Sequence, residues 1–361
     1  MSNPIAKIVS NITANTLSVT ASETADTVSE PLNPTHKTGA PKYERVLVII
    51  NPVSGQQDPD ETTRMIEARA ERAGTEINIR RTEKEGDAER WARGAADEGF
   101  GVVLTSGGDG TVVEAISGLI RGGNKIALAQ LPSGTASQIA LALSVPRDLE
   151  AALELLFDTP SKEVDLDVGY LPRQDRYFAL ITGAGFDAQV INESPRALKR
   201  RLGFLAYVLT GVRELFRLKR STLTLELDGK RRRVRAHTAM VVNIGRIDNA
   251  NVSIGPDIWH HDGVLNVMVI GSKGLRDNLR LAWRLFRRDY ADSPDLRYFR
   301  AEKRVVISSR PPLPTQIDGD SLGETPLEVV VVPGGVRVLV PESYDPKTPP
   351  EASVNLAAGK Q

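Results

Sequence analysis

Five consecutive apolar residues, Val46-Leu47-Val48-Ile49-Ile50, follow Arg45 and stop at Asn51-Pro52. A strand wetted on one face alternates polar and apolar residues, so an unbroken run ending in turn chemistry describes a strand buried on both faces. The pattern returns at Gly101-Val102-Val103-Leu104-Thr105-Ser106, which runs into a glycine pair. Between these runs the spacing predicts a helix over about 60–72, a strand near 77–80 and a helix around 87–98. Strands that alternate with helices need crossover connections and therefore form a parallel sheet. Ligands of such sheets sit beyond the carboxyl ends of the strands, where the polar stretches 51–55, 107–111 and 131–135 all fall.

At 361 residues the chain exceeds what one hydrophobic core usually supports, so two folded domains are expected. After Asp165 the texture changes to short alternating strands with turn dipeptides, at 222–226, 241–245, 264–270, 305–307 and 327–332. The expected architecture is α/β: an N-terminal three-layer parallel-sheet nucleotide domain over residues 43–163, completed by about 334–343, and a β-rich, sandwich-like domain over 164–333. Residues 1–42, rich in Ser, Thr, Asn and Pro with acids at Glu23, Asp26 and Glu30, are expected to be a disordered leader, and 344–361 a flexible tail.

Composition excludes several classes. Basic and acidic residues balance at 46 each, so bulk charge predicts no nucleic-acid partner. The absence of cysteine removes disulfide frameworks, thiolate zinc sites and a cysteine nucleophile, and suits a reducing cytoplasm. No stretch reaches the roughly 18 apolar residues of a membrane-spanning helix, so membrane contact would be peripheral.

The chemistry concentrates in Gly107-Gly108-Asp109-Gly110-Thr111, between a strand and a helix expected to open at Val112. Glycines let phosphates approach backbone amides, and a helix N-terminus adds partial positive charge. A tight turn needs one or two glycines; three around an acid favour phosphate binding. The spacing matches neither a Walker loop nor a dinucleotide fingerprint.

In order along the chain stand Asn51-Pro52-Val53-Ser54-Gly55, Gly107-Gly108-Asp109-Gly110-Thr111-Val112-Val113-Glu114, Leu131-Pro132-Ser133-Gly134-Thr135, Gly183-Ala184-Gly185-Phe186-Asp187 and Ile317-Asp318-Gly319-Asp320. With this ordered set the sequence resembles the diacylglycerol kinase catalytic-domain family, in its bacterial lipid kinase branch, which is also similar to sphingosine kinases. The resemblance implies an ATP- and Mg2+-dependent kinase that phosphorylates a lipid hydroxyl, on diacylglycerol or a sphingoid-type substrate, at a membrane surface. It implies that Asn51, Ser54, Gly55, Gly107, Gly108, Asp109, Gly110, Thr111, Glu114, Pro132, Gly134 and Thr135 line the nucleotide. Asp109 would act on magnesium indirectly, cap a helix, or do both; Glu114 would support it or be an ordinary solvated acid.

The resemblance also implies that Asp318 is the general base and Asp320 its neighbour. Asp-Gly is a strong hairpin signal as well, and it recurs at Asp228-Gly229, read as a turn, and at Asp262-Gly263, where a structural metal ligand competes with a turn. Two positions depart from the family pattern: Ser137 stands where an asparagine is usual, and Asp320 where glutamate is frequent. Basic amphipathic helices expected at 196–220 and 275–290 would suit an anionic membrane face or simply pack one side and solvate the other. His260 and His261 are expected as surface or turn residues. An NAD kinase-like enzyme with a soluble substrate and a non-catalytic nucleotide- or lipid-binding regulator are the alternatives, and a homodimer is compatible with the sequence.

Overall fold

The structure, a computed structural model, describes residues 42–54, 58–134, 137–185, 220–247, 252–253, 258–271 and 295–345, with isolated residues between 255 and 293. The first apolar run forms β1 (Arg45–Ile50), in which Val46, Leu47, Val48 and Ile49 have no solvent exposure. Next, α1 (Pro59–Ala73) starts where Asp58 accepts the Asp60 N–H at 2.9 Å and proline takes the first helical position. It stops at Gly74, whose φ of 68° is costly for any residue with a Cβ. The alternation continues through β2 (Glu76–Arg81), α2 (Asp87–Gly94), β3 (Val102–Gly107), α3 (Asp109–Arg121), β4 (Ala127–Pro132), α4 (Gln138–Ala142) and α5 (Leu149–Phe157). The first four strands pair in parallel, in the order β2-β1-β3-β4. Their carboxyl ends place residues 51–54, 107–111 and 131–134 on one edge.

Two boundaries differ from expectation. The helix expected over 87–98 ends at Gly94, and the one expected to open at Val112 opens at Asp109. The second difference matters chemically, because it puts the N–H groups of Asp109, Gly110 and Thr111 in the unpaired first turn of a helix.

The chain then continues through β5 (Ser161–Leu171), β6 (Arg176–Phe178), β7 (Ile181–Ala184), β8 (Ser221–Leu227), β9 (Lys230–Ala236), β10 (Thr238–Val242), β11 (Arg246–Ile247), β12 (Val252–Ser253) and β13 (Leu265–Ile270). The last strands are β14 (Leu296–Ala301), β15 (Arg304–Arg310), β16 (Pro314–Ile317), β17 (Asp320–Glu324) and β18 (Leu327–Pro341). The strand expected over 241–245 therefore lies earlier, and the one expected over 327–332 continues to Pro341. A six-stranded antiparallel sheet, β14-β13-β10-β7-β16-β17, packs against the antiparallel end of the ten-stranded sheet, where β18, β15, β8 and β9 lie. Leu223, Leu225, Ile307 and Val329 from one sheet meet Val241, Val267 and Ile317 from the other in a single core. The fold is thus a parallel α/β layer followed by a β-rich sandwich, as expected. Most of 196–220 and 275–290 lies outside the described residues.

Two long strands join the halves. Residues 336–341 of β18 run antiparallel to residues 161–166 of β5, while Val338 pairs in parallel with Leu128 of β4. Its first residues pair with β15 and with residues 168–170 of β5, and the register shifts between Val332 and Val336. Asp167 is buried at that break. Its carboxylate accepts the N–H groups of Gly334 (2.8 Å) and Gly263 (2.7 Å), and its own N–H donates to the His260 carbonyl at 2.8 Å. Asn243, with no exposure, donates Nδ2 to the carbonyls of Asp167 (2.6 Å) and Ala179 (2.9 Å). His260 is buried, not a surface residue, with Nε2 at 2.6 Å from the Tyr344 hydroxyl. Burial, aided by the neighbouring His261, lowers its pKa to about 4, so the ring is neutral at physiological pH. Tyr344 is itself buried and belongs to the fold rather than to a tail.

Candidate functional site

The loops after β1, β3 and β4 are drawn together by backbone contact. Asn51 donates its N–H to the Ser106 carbonyl at 2.8 Å and its Nδ2 to Thr111 Oγ1 at 3.0 Å, while Gly134 donates to the Gly107 carbonyl at 3.2 Å. A Cβ on Gly134 would stand 2.5 Å from the Gly108 Cα, and one on Gly108 would stand 3.3 Å from Ser54 Oγ. Only glycine permits this approach. A Cβ on Gly110, by contrast, would meet no atom within 4 Å, so this first-turn position opens onto free space.

That contrast yields a paired prediction. Gly134→Ala is expected to push the loops apart and cost about 1–3 kcal/mol, whereas Gly110→Ala should keep or raise stability by up to about 1 kcal/mol. Thermal denaturation of the two variants beside wild type checks both signs.

Asp109 sits in the first turn of α3 but does not cap that helix. Its oxygens accept the N–H groups of Gln138 and Ile139, each at 3.0 Å, and so cap α4 across the site. Ser137, at φ 47°, gives α4 no side-chain cap of its own and turns its hydroxyl to the Gly134 carbonyl at 3.0 Å. Burial raises the Asp109 pKa; the two amides and the positive charge of Arg147 oppose the rise. Glu114, expected near the phosphates, instead accepts the N–H groups of Gly86 and Ala88 at the start of α2. Its burial raises the pKa, and its acceptors serve a neighbouring helix terminus.

The three Asp-Gly pairs separate by what their carboxylates meet. Asp228 and Gly229 (φ 49° and 84°) form the β8–β9 turn, and Asp228 accepts the N–H groups of Glu302, Lys303 and Arg304, each at 2.9 Å. Asp262 accepts the Val264 N–H at 3.2 Å and pairs with Arg300 at 2.7 Å. Both oxygens are committed, and among the described residues no group of three or more His, Asp or Glu could hold a metal. Of the two readings of Asp262, turn residue and metal ligand, the hydrogen bond to Val264 and the ion pair with Arg300 fit the turn.

Asp318 and Gly319 (φ 45° and 100°) form the β16–β17 turn, so hairpin and site are the same residues. Asp318 Oδ1 accepts the Ile181 N–H at 2.8 Å, while Oδ2 is buried with no hydrogen-bond partner. Burial, which outweighs the N–H groups of Ile181 and Ala179 and is reinforced by the Asp109 charge, pushes its pKa up to about 7. The Asp109 charge, on the parallel-sheet side, thus acts on Asp318, on the sandwich side. Asp320 is exposed and pairs with Arg176 at 3.3 Å, which in turn stands 4.0 Å from Glu85 in the loop after β2.

The structure therefore brings together Asn51, Ser54, Gly107, Gly108, Asp109, Gly110, Thr111, Gly134 and Asp318, with Pro132 ending β4 beside them. Gly55, Thr135, Phe186 and Asp187 lie outside the described residues. Gly183 serves strand packing, since a Cβ there would stand 2.7 Å from the Ala239 carbonyl. Sequence reasoning missed Asp167, Asn243 and Arg176; the polar interruption after Val241-Val242 was the one signal pointing at Asn243. A larger hollow between α1 and α5, lined by Arg64, Arg69, Glu61 and Glu150, includes none of the loop residues.

Residues 45–168 match the family model described as diacylglycerol kinase catalytic domain, and residues 181–340 match the YegS C-terminal NAD kinase beta sandwich-like domain. A diacylglycerol kinase of Bacillus subtilis strain 168 is 28% identical over 300 residues, covering 83% of this chain and 97% of the relative. One from Staphylococcus aureus strain RF122 is 28% identical over 305 residues, covering 82% and 93%. A crystal structure from Bacillus anthracis strain Sterne, of a protein proposed to be a diacylglycerol kinase, superposes with a TM-score of 0.71 at 25% identity. It covers 84% of this chain and 99% of that one.

Proposed function

We propose, for a chain that belongs to the diacylglycerol kinase catalytic-domain family and is a lipid kinase, that it transfers the γ-phosphate of ATP to the hydroxyl of diacylglycerol or a sphingoid-type lipid. The observation that carries the mechanism is the single bare oxygen of Asp318. A carboxyl titrating near 7 with one oxygen unpaired beside Asp109 is suited to take a proton from an attacking hydroxyl at physiological pH. In support, the first-turn N–H groups of α3 offer amide donors, and Gly110, where a Cβ would meet no atom within 4 Å, leaves room for the phosphates.

The residues present fit magnesium. Asp109, with both oxygens already accepting amides, would hold a cation indirectly, as suits magnesium, which keeps several waters when bound by one or two carboxylates and substrate phosphates. When bound, it supplies charge neutralisation on the transferring phosphoryl group. Asp320, Asp318's neighbour on the same hairpin, is exposed and pairs with Arg176 at 3.3 Å.

The test supplies magnesium, radiolabelled ATP and a panel of diacylglycerol, monoacylglycerol and sphingoid bases in vesicles, with NAD as a separate soluble acceptor. Label in a lipid is the expected result. Label in NAD alone would replace this reading with the NAD kinase-like one, and ATP binding without any labelled product would leave a non-catalytic binder.

A further inference from the structure

The edge strand β9 reads Lys230-Arg231-Arg232-Arg233-Val234-Arg235-Ala236 in a chain whose formal charge is +0. Its inward side chains, Val234 and Ala236, are buried in the sandwich core, while Arg231, Arg233 and Arg235 share the outer face. Register aligns that face in rows. Arg231 lies beside Glu226 and Val306, Arg233 beside Thr224 and Ser308, and Arg235 beside Thr222 and Arg310.

The rows differ in charge balance. At one end Glu226 pairs with Arg231 (2.8 Å) and Arg304 (3.1 Å), and Glu328 pairs with Arg304 (2.9 Å). At the other end Arg233, Arg235 and Arg310 are exposed, and among the described residues no carboxylate pairs with any of them. Arg220 adds a fourth cation there, donating Nη2 to the Arg235 carbonyl at 2.7 Å.

Charge on an edge strand commonly blocks unwanted pairing, and Arg231 to Arg233 would serve that purpose. Arg310 guards no edge, because β15 lies two strands inward with β8 between. The result is a face about 10 Å across, three strands at roughly 4.8 Å spacing, with hydroxyls of Thr222, Thr224 and Ser308 between guanidinium groups that no described carboxylate pairs.

We propose that this face, centred on Arg233, Arg235 and Arg310, docks the protein onto an anionic lipid bilayer. The choice of occupant rests on the lipid-kinase reading, and charge complementarity supports it. Guanidinium groups pair phosphates bidentately, and a cationic sheet matches a phosphate-bearing surface. It uses none of the residues assigned to phosphoryl transfer.

The experiment compares full-length wild type with R233E/R235E/R310E in co-sedimentation with phosphatidylglycerol vesicles and phosphatidylcholine vesicles. Wild type should bind the anionic vesicles selectively, and less so as salt rises. The variant should bind at least about a hundredfold more weakly, while its activity on a short-chain monomeric diacylglycerol stays at wild-type level and certifies folding. Equal binding by both proteins, equal wild-type affinity for both vesicle types, or preference for a soluble polyanion such as RNA overturns the proposal. Binding needs no turnover, so the two readings fail separately. Charge-dependent binding without lipid phosphorylation sinks only the kinase reading, and phosphorylation with variant-insensitive binding sinks only the docking face.

Discussion

Asp318→Asn is expected to lower kcat by about 10²–10⁴-fold, the range for removing a positioned general base. The amide keeps the shape and can still accept the Ile181 N–H, now 2.8 Å from Oδ1, so the hairpin should survive. Wild-type kcat/KM should rise with pH through about 7, as the carboxyl loses its proton, and the variant should show no such limb. Stability should move the opposite way. A carboxyl whose folded pKa is raised makes the folded state the tighter proton binder, so stability falls as pH climbs from the unfolded value of 3.8 through about 7. Asparagine does not titrate, and the variant should gain about 1–3 kcal/mol over wild type at pH 8 but little below pH 4; the half-buried setting limits the gain through solvent screening. A variant that is equally active, or less stable at pH 8, would remove Asp318 from the role of base.

Asp167→Ala should destabilise the fold by about 3–5 kcal/mol, the largest stability loss expected of any single change considered. Truncation strips the acceptors from the N–H groups of the half-buried Gly334 and Gly263 beside the crossing of β5 and β18, and each unsatisfied group costs about 1–3 kcal/mol. Asn243 compounds the loss, because its bonds to the Asp167 and Ala179 carbonyls depend on the same backbone path. Urea denaturation with two spectroscopic probes is the check. A loss under 1 kcal/mol would mean that water satisfies the break and that the staple contributes little.

Legibility in the sequence followed the range of the interactions. The buried strands β1 and β3 were readable because burial on both faces removes alternation from the sequence itself. The helix at 59–73 was readable because proline, acids and a terminal glycine punctuate it locally. The glycine loop was legible as the junction of strand and helix, but not its helical start, because glycines at 108 and 110 lower helical propensity; the preceding strand and the neighbouring loop hold that turn helical regardless. Glu114 could not be read, since its partners at the start of α2 are distant in the chain.

By itself the sequence determined the class of fold, the order of its glycine and aspartate motifs and the kind of chemistry they serve, all of which depend on local propensity and burial pattern. Tertiary structure alone decided which of three Asp-Gly turns keeps a free carboxylate oxygen. Asp228-Gly229 and Asp318-Gly319 are both left-handed pairs, whereas at Asp262-Gly263 only the glycine has a positive φ. Asp228 commits its oxygens to three amides and Asp262 to the Val264 N–H and Arg300, whereas Asp318 is folded against Ile181 and near Asp109 with one oxygen bare. Turn chemistry is written in adjacent residues, but the partners of a carboxylate come from strands that only folding brings near.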